Sequence, residues 1–244
     1  MQEAQERVRR GRRIEGRRHT PLDLRWPDTA EYTELARTWS ADAVERMLEA
    51  VWHGYDVLVV EVLATIDITQ ADAELERTIT QLLEPRIRRQ LSGDEPYYVQ
   101  HGPYEFATRQ PPPAQPPQYD LAFVLHQNPR VMWPLEAKLL RSDGRVAAYV
   151  QDIHNEFLTG RYAPYASSSA MLGYLLRGSP AKVFDNIEAA IACRLQPHPA
   201  FSTRHHRISE HSRNLAKAEF VSGLFQCHHL ILEMAYGPRI AGAP

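Results

Sequence analysis

Asp120, Glu136 and Lys138 are the residues whose types and spacing bear chemistry. They lie in QYDLAFVLHQNPRVMWPLEAKLLRS, residues 118–142, where two apolar runs flank a short polar break. The break HQNPR (126–130) reads as a five-residue turn centred on Asn128-Pro129. Folding two strands about it pairs 125 with 131, 123 with 133 and 120 with 136. Alternation then puts Tyr119, Leu121, Phe123, Leu125, Val131, Trp133, Leu135, Ala137 and Leu139 on a core face. Asp120, Glu136 and Lys138 share the other face. Directly opposed Cβ atoms are only about 5 Å apart, and like charges in that position destabilise a strand pair. Two carboxylates held so close share a proton or hold a cation. Mg2+ or Mn2+ takes such oxygens together with water and a substrate phosphate. A lysine beside them can orient or deprotonate a water, or stabilise charge developing on phosphorus. Lysine is scarce here: Lys138, Lys182 and Lys217 are the three among 28 basic residues, the others being arginine. A lysine in such a chain is expected where a compact ammonium is wanted.

The elements around this hairpin must hold it. SADAVERMLEAVWHGYDVLVVEVL (40–63) has helical spacing with Ser40 as N-cap, although DVLVVEVL also reads as a strand and periodicity leaves both open. Thr69 and Asp72 have the spacing of a capping box for a helix whose apolar face is Leu75, Ile79, Leu82, Leu83 and Ile87. Pro85 is expected to kink or split it. EPYYVQHGPYEFA predicts a strand or bent hairpin, and QPPPAQPPQ (110–118) a rigid polyproline connector. After the hairpin come a helix with Val146, Tyr149, Val150, Ile153 and Phe157 on its apolar stripe, a central strand AMLGYLL (170–176), and a helix opened by Ser179-Pro180. From residue 70 to about 194 the order is helix, three strands, helix, strand, helix. Pro134 in mid-strand suggests a bulge.

An acid on the second strand and Glu136-Ala137-Lys138 on the third resemble the PD-(D/E)XK nuclease superfamily, over about residues 70–180. Tyr119 stands where the leading proline would be. The resemblance implies an α/β fold with a restriction-endonuclease-like core: a central mixed β-sheet flanked by helices, with N-terminal helical and C-terminal elaborations. It implies Mg2+-dependent cleavage of nucleic acid, usually DNA, with the Ala137 carbonyl as a further metal ligand beside Asp120 and Glu136. It also implies an acid on the first helix, for which Glu76 adjoins the apolar face and Glu74 is the alternative. Tyr149 and Gln151 are available on the helix after the triplet, Tyr149 falling on the apolar stripe.

The organisation expected is a basic arm and N-terminal helical region (1–66), a nuclease core (67–196) and a His/Arg-rich extension packing on the core (197–244). Residues 1–18 hold seven arginines against three glutamates, as an arm lying on phosphate or a solvated tail would. Arg161, after the helix that follows the hairpin, and Arg204, His205, His206, Arg207 and Arg213 are the expected phosphate contacts. His205-His206…His211 and Cys227-His228-His229 lack the spaced pairs that build a tetrahedral zinc site. Glycine-rich phosphate loops and nucleophile elbows are absent from the sequence. Two cysteines exclude a disulfide framework and fit a reducing cytoplasm; the basic N-terminus lacks the apolar stretch of a secretory signal, and no apolar run suits a membrane. The expectation is a metal-dependent endonuclease on DNA, in defence against foreign DNA, as a homodimer or beside an ATPase or sensor subunit. The alternatives are a catalytically silent nucleic-acid-binding or scaffolding subunit, and an RNase on the same fold.

Overall fold

In a computed structural model, residues 41–105, 116–213 and 224–234 are described. The basic arm, Ser40, residues 110–115 of the proline tract and Lys217 lie outside them. The chain is an α/β protein in which helices precede a seven-stranded mixed sheet. Helix α1 (Ala41–Glu61) and helix α2 (Asp72–Arg88) are followed by β1 (Tyr97–His101), β2 (Leu121–Leu125) and β3 (Met132–Leu140). Helix α3 (Ala147–Asp152), continued by a π-helical turn at Ile153–Phe157, leads to β4 (Ser168–Leu175) and α4 (Pro180–Ile191). Strands β5 (Gln196–Pro197), β6 (His206–Ser212) and β7 (Leu224–Glu233) complete the sheet in the order β1-β2-β3-β4-β7-β6-β5. The expected order from residue 70 holds. Among the described residues no helix is long and apolar enough to cross a membrane.

DVLVVEVL is helical up to Glu61. Its valines favour a strand locally, but Met47, Leu48, Val51, Trp52, Tyr55 and Leu58 recur at helical spacing and are all buried, so tertiary packing decides. The capping box does not form. Thr69 instead binds Asp67 Oδ1 through its amide (2.9 Å) and hydroxyl (2.7 Å), and Ala71 caps α2 without a side-chain hydrogen bond. Pro85 stays inside α2, which runs on only to Arg88. The helix buries Leu75, Ile79, Leu83 and Ile87.

The β2–β3 register is the one expected, with Leu121 opposite Leu135 and Phe123 opposite Trp133. Pro134 makes no bulge: it pairs with Ala122, and β4 joins β3 only from Leu135 onward, so its missing N–H falls just before that ladder. Parallel neighbours share a face, and this assigns the layers. Tyr149 of α3 meets His229 of β7, and Arg207 of β6 lies over Phe184 of α4, so α3 and α4 cover the face that carries Glu136 and Lys138. Thr80 of α2 meets Tyr174, and Trp52 of α1 meets His206, so α1 and α2 cover the other face. Gly173 stands beside Lys138 in the ladder, and its missing side chain makes room for Ile231 and Leu140, whose Cδ1 atoms lie 2.8 Å from where a Cβ would be.

Candidate active site

The sheet has a step where chemistry-bearing side chains from both helical layers meet. Strand β2 begins at Leu121, opposite Leu135, while β3 runs on to Leu140. Beyond Leu135 the outer edge of β3 has no strand partner among the described residues, and the amides of Ala137 and Leu139 face that edge. Two carboxylates satisfy them. Asp120 Oδ2 accepts from Ala137 N at 2.8 Å, and Glu76 Oε2 accepts from Leu139 N at 2.6 Å. A buried amide without a partner would cost about 1–3 kcal/mol, so the step itself demands acceptors there. The C=O of a strand residue points to the same edge as its N–H, so the Ala137 carbonyl faces the same space.

Glu76 reaches this edge from α2. Thr80 Oγ1 donates to the Glu76 carbonyl (2.8 Å) and lies 3.0 Å from the Tyr174 hydroxyl, which anchors that turn of α2 on β4. Glu74, one turn face away, is exposed and takes no part. Arg141, just past β3, holds the approach to α2 through Asp72 (2.8 Å) and the carbonyls of Ile68 (2.7 Å) and Gln70 (2.6 Å).

Lys138 gathers the acids. Its Nζ lies 2.9 Å from Glu136 Oε1, 2.8 Å from Asp152 Oδ2 and 3.9 Å from Glu76 Oε1. Burial pushes the Glu136 carboxyl well above the ordinary range, and the Asp120 charge adds to this. Burial likewise raises Glu76 to about 7, although Lys138 and the Leu139 amide pull it down. Burial would lower the Lys138 ammonium, but Glu136, Glu76 and Asp152 outweigh it and the net effect is upward. Lys138 is therefore an ammonium in this arrangement, suited to holding negative charge and unsuited to removing a proton from water. Glu136 Oε2 is buried with no hydrogen-bond partner among the described residues. Three acids around one ammonium, a fourth on the neighbouring Ala137 amide, and an orphaned carboxylate oxygen form a donor set short of positive charge. Asp120, Glu136 and the Ala137 carbonyl fit a hard divalent cation.

Asp152 escaped sequence reasoning. It adjoins the apolar stripe of its helix at Ile153, as Glu76 adjoins Leu75, and that same signal would have found it. Gln151 is exposed, and Tyr149 is fully buried with its hydroxyl 3.1 Å from His229 Nδ1. Arg161 pairs with Glu156 and lies over Tyr162, and it is the Tyr162 hydroxyl group that feels the charges of Glu136 and Asp120.

The other expected phosphate contacts are elsewhere. Arg204, His205 and Arg207 lie at or beside β6, which β7 and β4 separate from β3; three strand spacings amount to about 14 Å. Arg204 pairs with Asp56 at 2.8 Å and lies over Trp52, and His205 lies 3.2 Å from Glu233. His206 is 2% exposed and belongs to the interior, because strand alternation turns it under α1. Arg213 is also buried, donating to the carbonyls of Phe157, Ala163 and Ala166. The expected basic surface therefore loses these two residues. Comparison with protein-family models, with curated proteins and with solved structures finds no match to this chain.

Proposed function

We propose that this protein is a metal-dependent endonuclease that hydrolyses phosphodiester bonds of DNA, built on a restriction-endonuclease-like core of α2, β1 to β3, α3 and β4. The observation that carries this reading is the convergence of Asp120, Glu136, Lys138 and Glu76 at the step beside β3. Asp120, Glu136 and the Ala137 carbonyl would hold Mg2+ or Mn2+, which supplies Lewis-acid polarisation of the phosphate and a more acidic water. Lys138 presents its ammonium to the phosphate and stabilises the charge that grows there. Asp152 keeps that ammonium in place from α3. Glu76, held near 7, has the proton affinity of a general base at neutral pH and would take the proton of an attacking water. Tyr162 adjoins the same acids, and Arg161, which lies over its ring, would contact the flanking strand. Cutting both strands of a duplex calls for two such sites, hence a homodimer; an ATPase or sensor subunit and a role in defence follow from family analogy alone.

A second reading, a silent nucleic-acid-binding or scaffolding subunit, draws on the full engagement of Lys138 by Glu136 and Asp152. Incubating plasmid, linear duplex, single-stranded DNA and RNA with Mg2+, Mn2+ or EDTA separates the two. Metal-dependent cutting that falls at least about a hundredfold in both Glu136→Gln and Lys138→Ala supports the proposal. Cutting that survives both variants overturns the site. No cutting and no Mg2+ binding by calorimetry leaves the scaffold, and cutting of RNA alone changes the substrate.

A further inference from the structure

Three histidines that no sequence spacing links come together on the opposite face of the sheet. His198 precedes the 3-10 turn Pro199–Phe201, His206 opens β6, and His228 lies on β7. They are 5%, 2% and 2% exposed, and one ligating atom from each lies within 4.8 Å of the others. We propose that His198, His206 and His228 bind a transition-metal cation of the zinc class, at a centre separate from the carboxylate site.

The geometry suits the ion. His206 Nε2 and His228 Nδ1 are 3.3 Å apart. Two nitrogens bound tetrahedrally at about 2.0–2.1 Å stand about 3.3–3.4 Å apart. The chemistry suits it as well. Burial, with the neighbouring imidazoles adding to it, holds His206 and His228 neutral, and the neutral ring is the form that ligates. His198 and His228 also line a cleft of about 370 Å³, so an ion has a way in and solvent can complete its shell. Three imidazoles select zinc, cobalt, nickel or copper over magnesium.

The cluster already holds hydrogen bonds that an ion must displace. Trp52 Nε1 donates to His206 Nδ1 at 3.3 Å, and Ala200 N donates to His198 Nδ1 at 3.2 Å. Both are long contacts. Ligation through the inner nitrogens puts protons on these outer ones, so both contacts must break. Binding is then visible in tryptophan emission.

The test uses the full chain, stripped with EDTA and dialysed, then titrated with Co2+ and with Zn2+ near neutral pH. One Co2+ should bind with the intense visible bands of a four- or five-coordinate ion, change the tryptophan emission, and be displaced by Zn2+ but not by Mg2+. Affinity should fall at least tenfold in His228→Ala and in His198→Asn, whose side-chain oxygen still accepts the Ala200 amide and so preserves the fold. It should be unchanged in Glu136→Gln, which keeps this result independent of the nuclease reading. Absence of saturable binding to the folded protein, or binding unaltered in both histidine variants, overturns the proposal.

Discussion

Replacing Glu76 by glutamine should stabilise this protein at alkaline pH, although it removes a charge 3.9 Å from a lysine. Burial raises the Glu76 carboxyl from the ordinary 4.5 to about 7. Its side chain is 21% exposed, so solvent screens little of this. A tenfold change in acidity corresponds to about 1.36 kcal/mol, so ionising Glu76 in the fold costs about 3 kcal/mol more than ionising it in the unfolded chain. The sign follows from linkage. Below pH 4.5 the group is protonated in both states and contributes nothing; between 4.5 and 7 the folded state binds more protons, so stability falls as pH rises. Glutamine behaves as a permanently neutral Glu76 and still accepts the Leu139 amide. Urea denaturation of both proteins in EDTA, from pH 4.5 to 8, should show the variant gaining on the wild type by about 3 kcal/mol across that range. Contributions from the histidines are common to both and cancel. A difference that stays flat with pH, or that favours wild type at pH 8, would refute the assignment of an excess of negative charge. Mg2+ at a hundred times its Kd should return about 2.7 kcal/mol to the wild type and less to the variant.

Gly54→Ala should destabilise the protein by about 1–3 kcal/mol or more in thermal or urea unfolding. A Cβ there would lie 2.8 Å from the Ile87 backbone nitrogen, where α1 and α2 cross, and backbone gives way less readily than a side chain. Arg141→Ala should cost about 1–2 kcal/mol and, on the proposed function, lower turnover by freeing the approach to α2, which unfolding and single-turnover kinetics would separate. Asp152→Asn should lower kcat with little change in KM, since it loosens Lys138 without touching substrate; an unchanged kcat would remove its positioning role. Acid should weaken the fold through His228, which burial lowers to about 3. The unfolded imidazole protonates near 6.5, so stability is lost as pH falls from there toward 3, and His228→Leu should flatten that limb in a pH series of unfolding midpoints.

How much of this was legible in the chain depended on the range of each interaction. The hairpin was legible because Asn128-Pro129 fixes a turn and period two then fixes the register, correctly from Val124 opposite Met132 to Leu121 opposite Leu135; the ladder ends there, and Asp120 turns to the Ala137 amide instead of continuing it. Glu76 was legible as an acid beside an apolar stripe. The same stripe rule, applied to Ile153, reaches Asp152, and attention to glutamine and tyrosine hid it. Thr69 had the spacing of a cap, but a nearer acceptor, Asp67, competed successfully for it. The histidine cluster was beyond any spacing rule. His198, His206 and His228 meet only because β7, the last strand, inserts between β4 and β6, and that sheet order is a property of the whole core.

The step beside β3 also makes the amides of Ala137 and Leu139 sentinels of the site. Each donates a hydrogen bond to a carboxylate of the site, and a divalent cation would compete for that carboxylate, so occupancy and backbone protection are in opposition. In the cation-free protein these two N–H groups should exchange with solvent slowly and resonate at low field in a nitrogen–proton spectrum. A cation that draws Asp120 or Glu76 away would move their resonances and speed their exchange, while the amides that pair β3 with β4 would stay put. The edge of one strand thus reports, residue by residue, which carboxylate has moved.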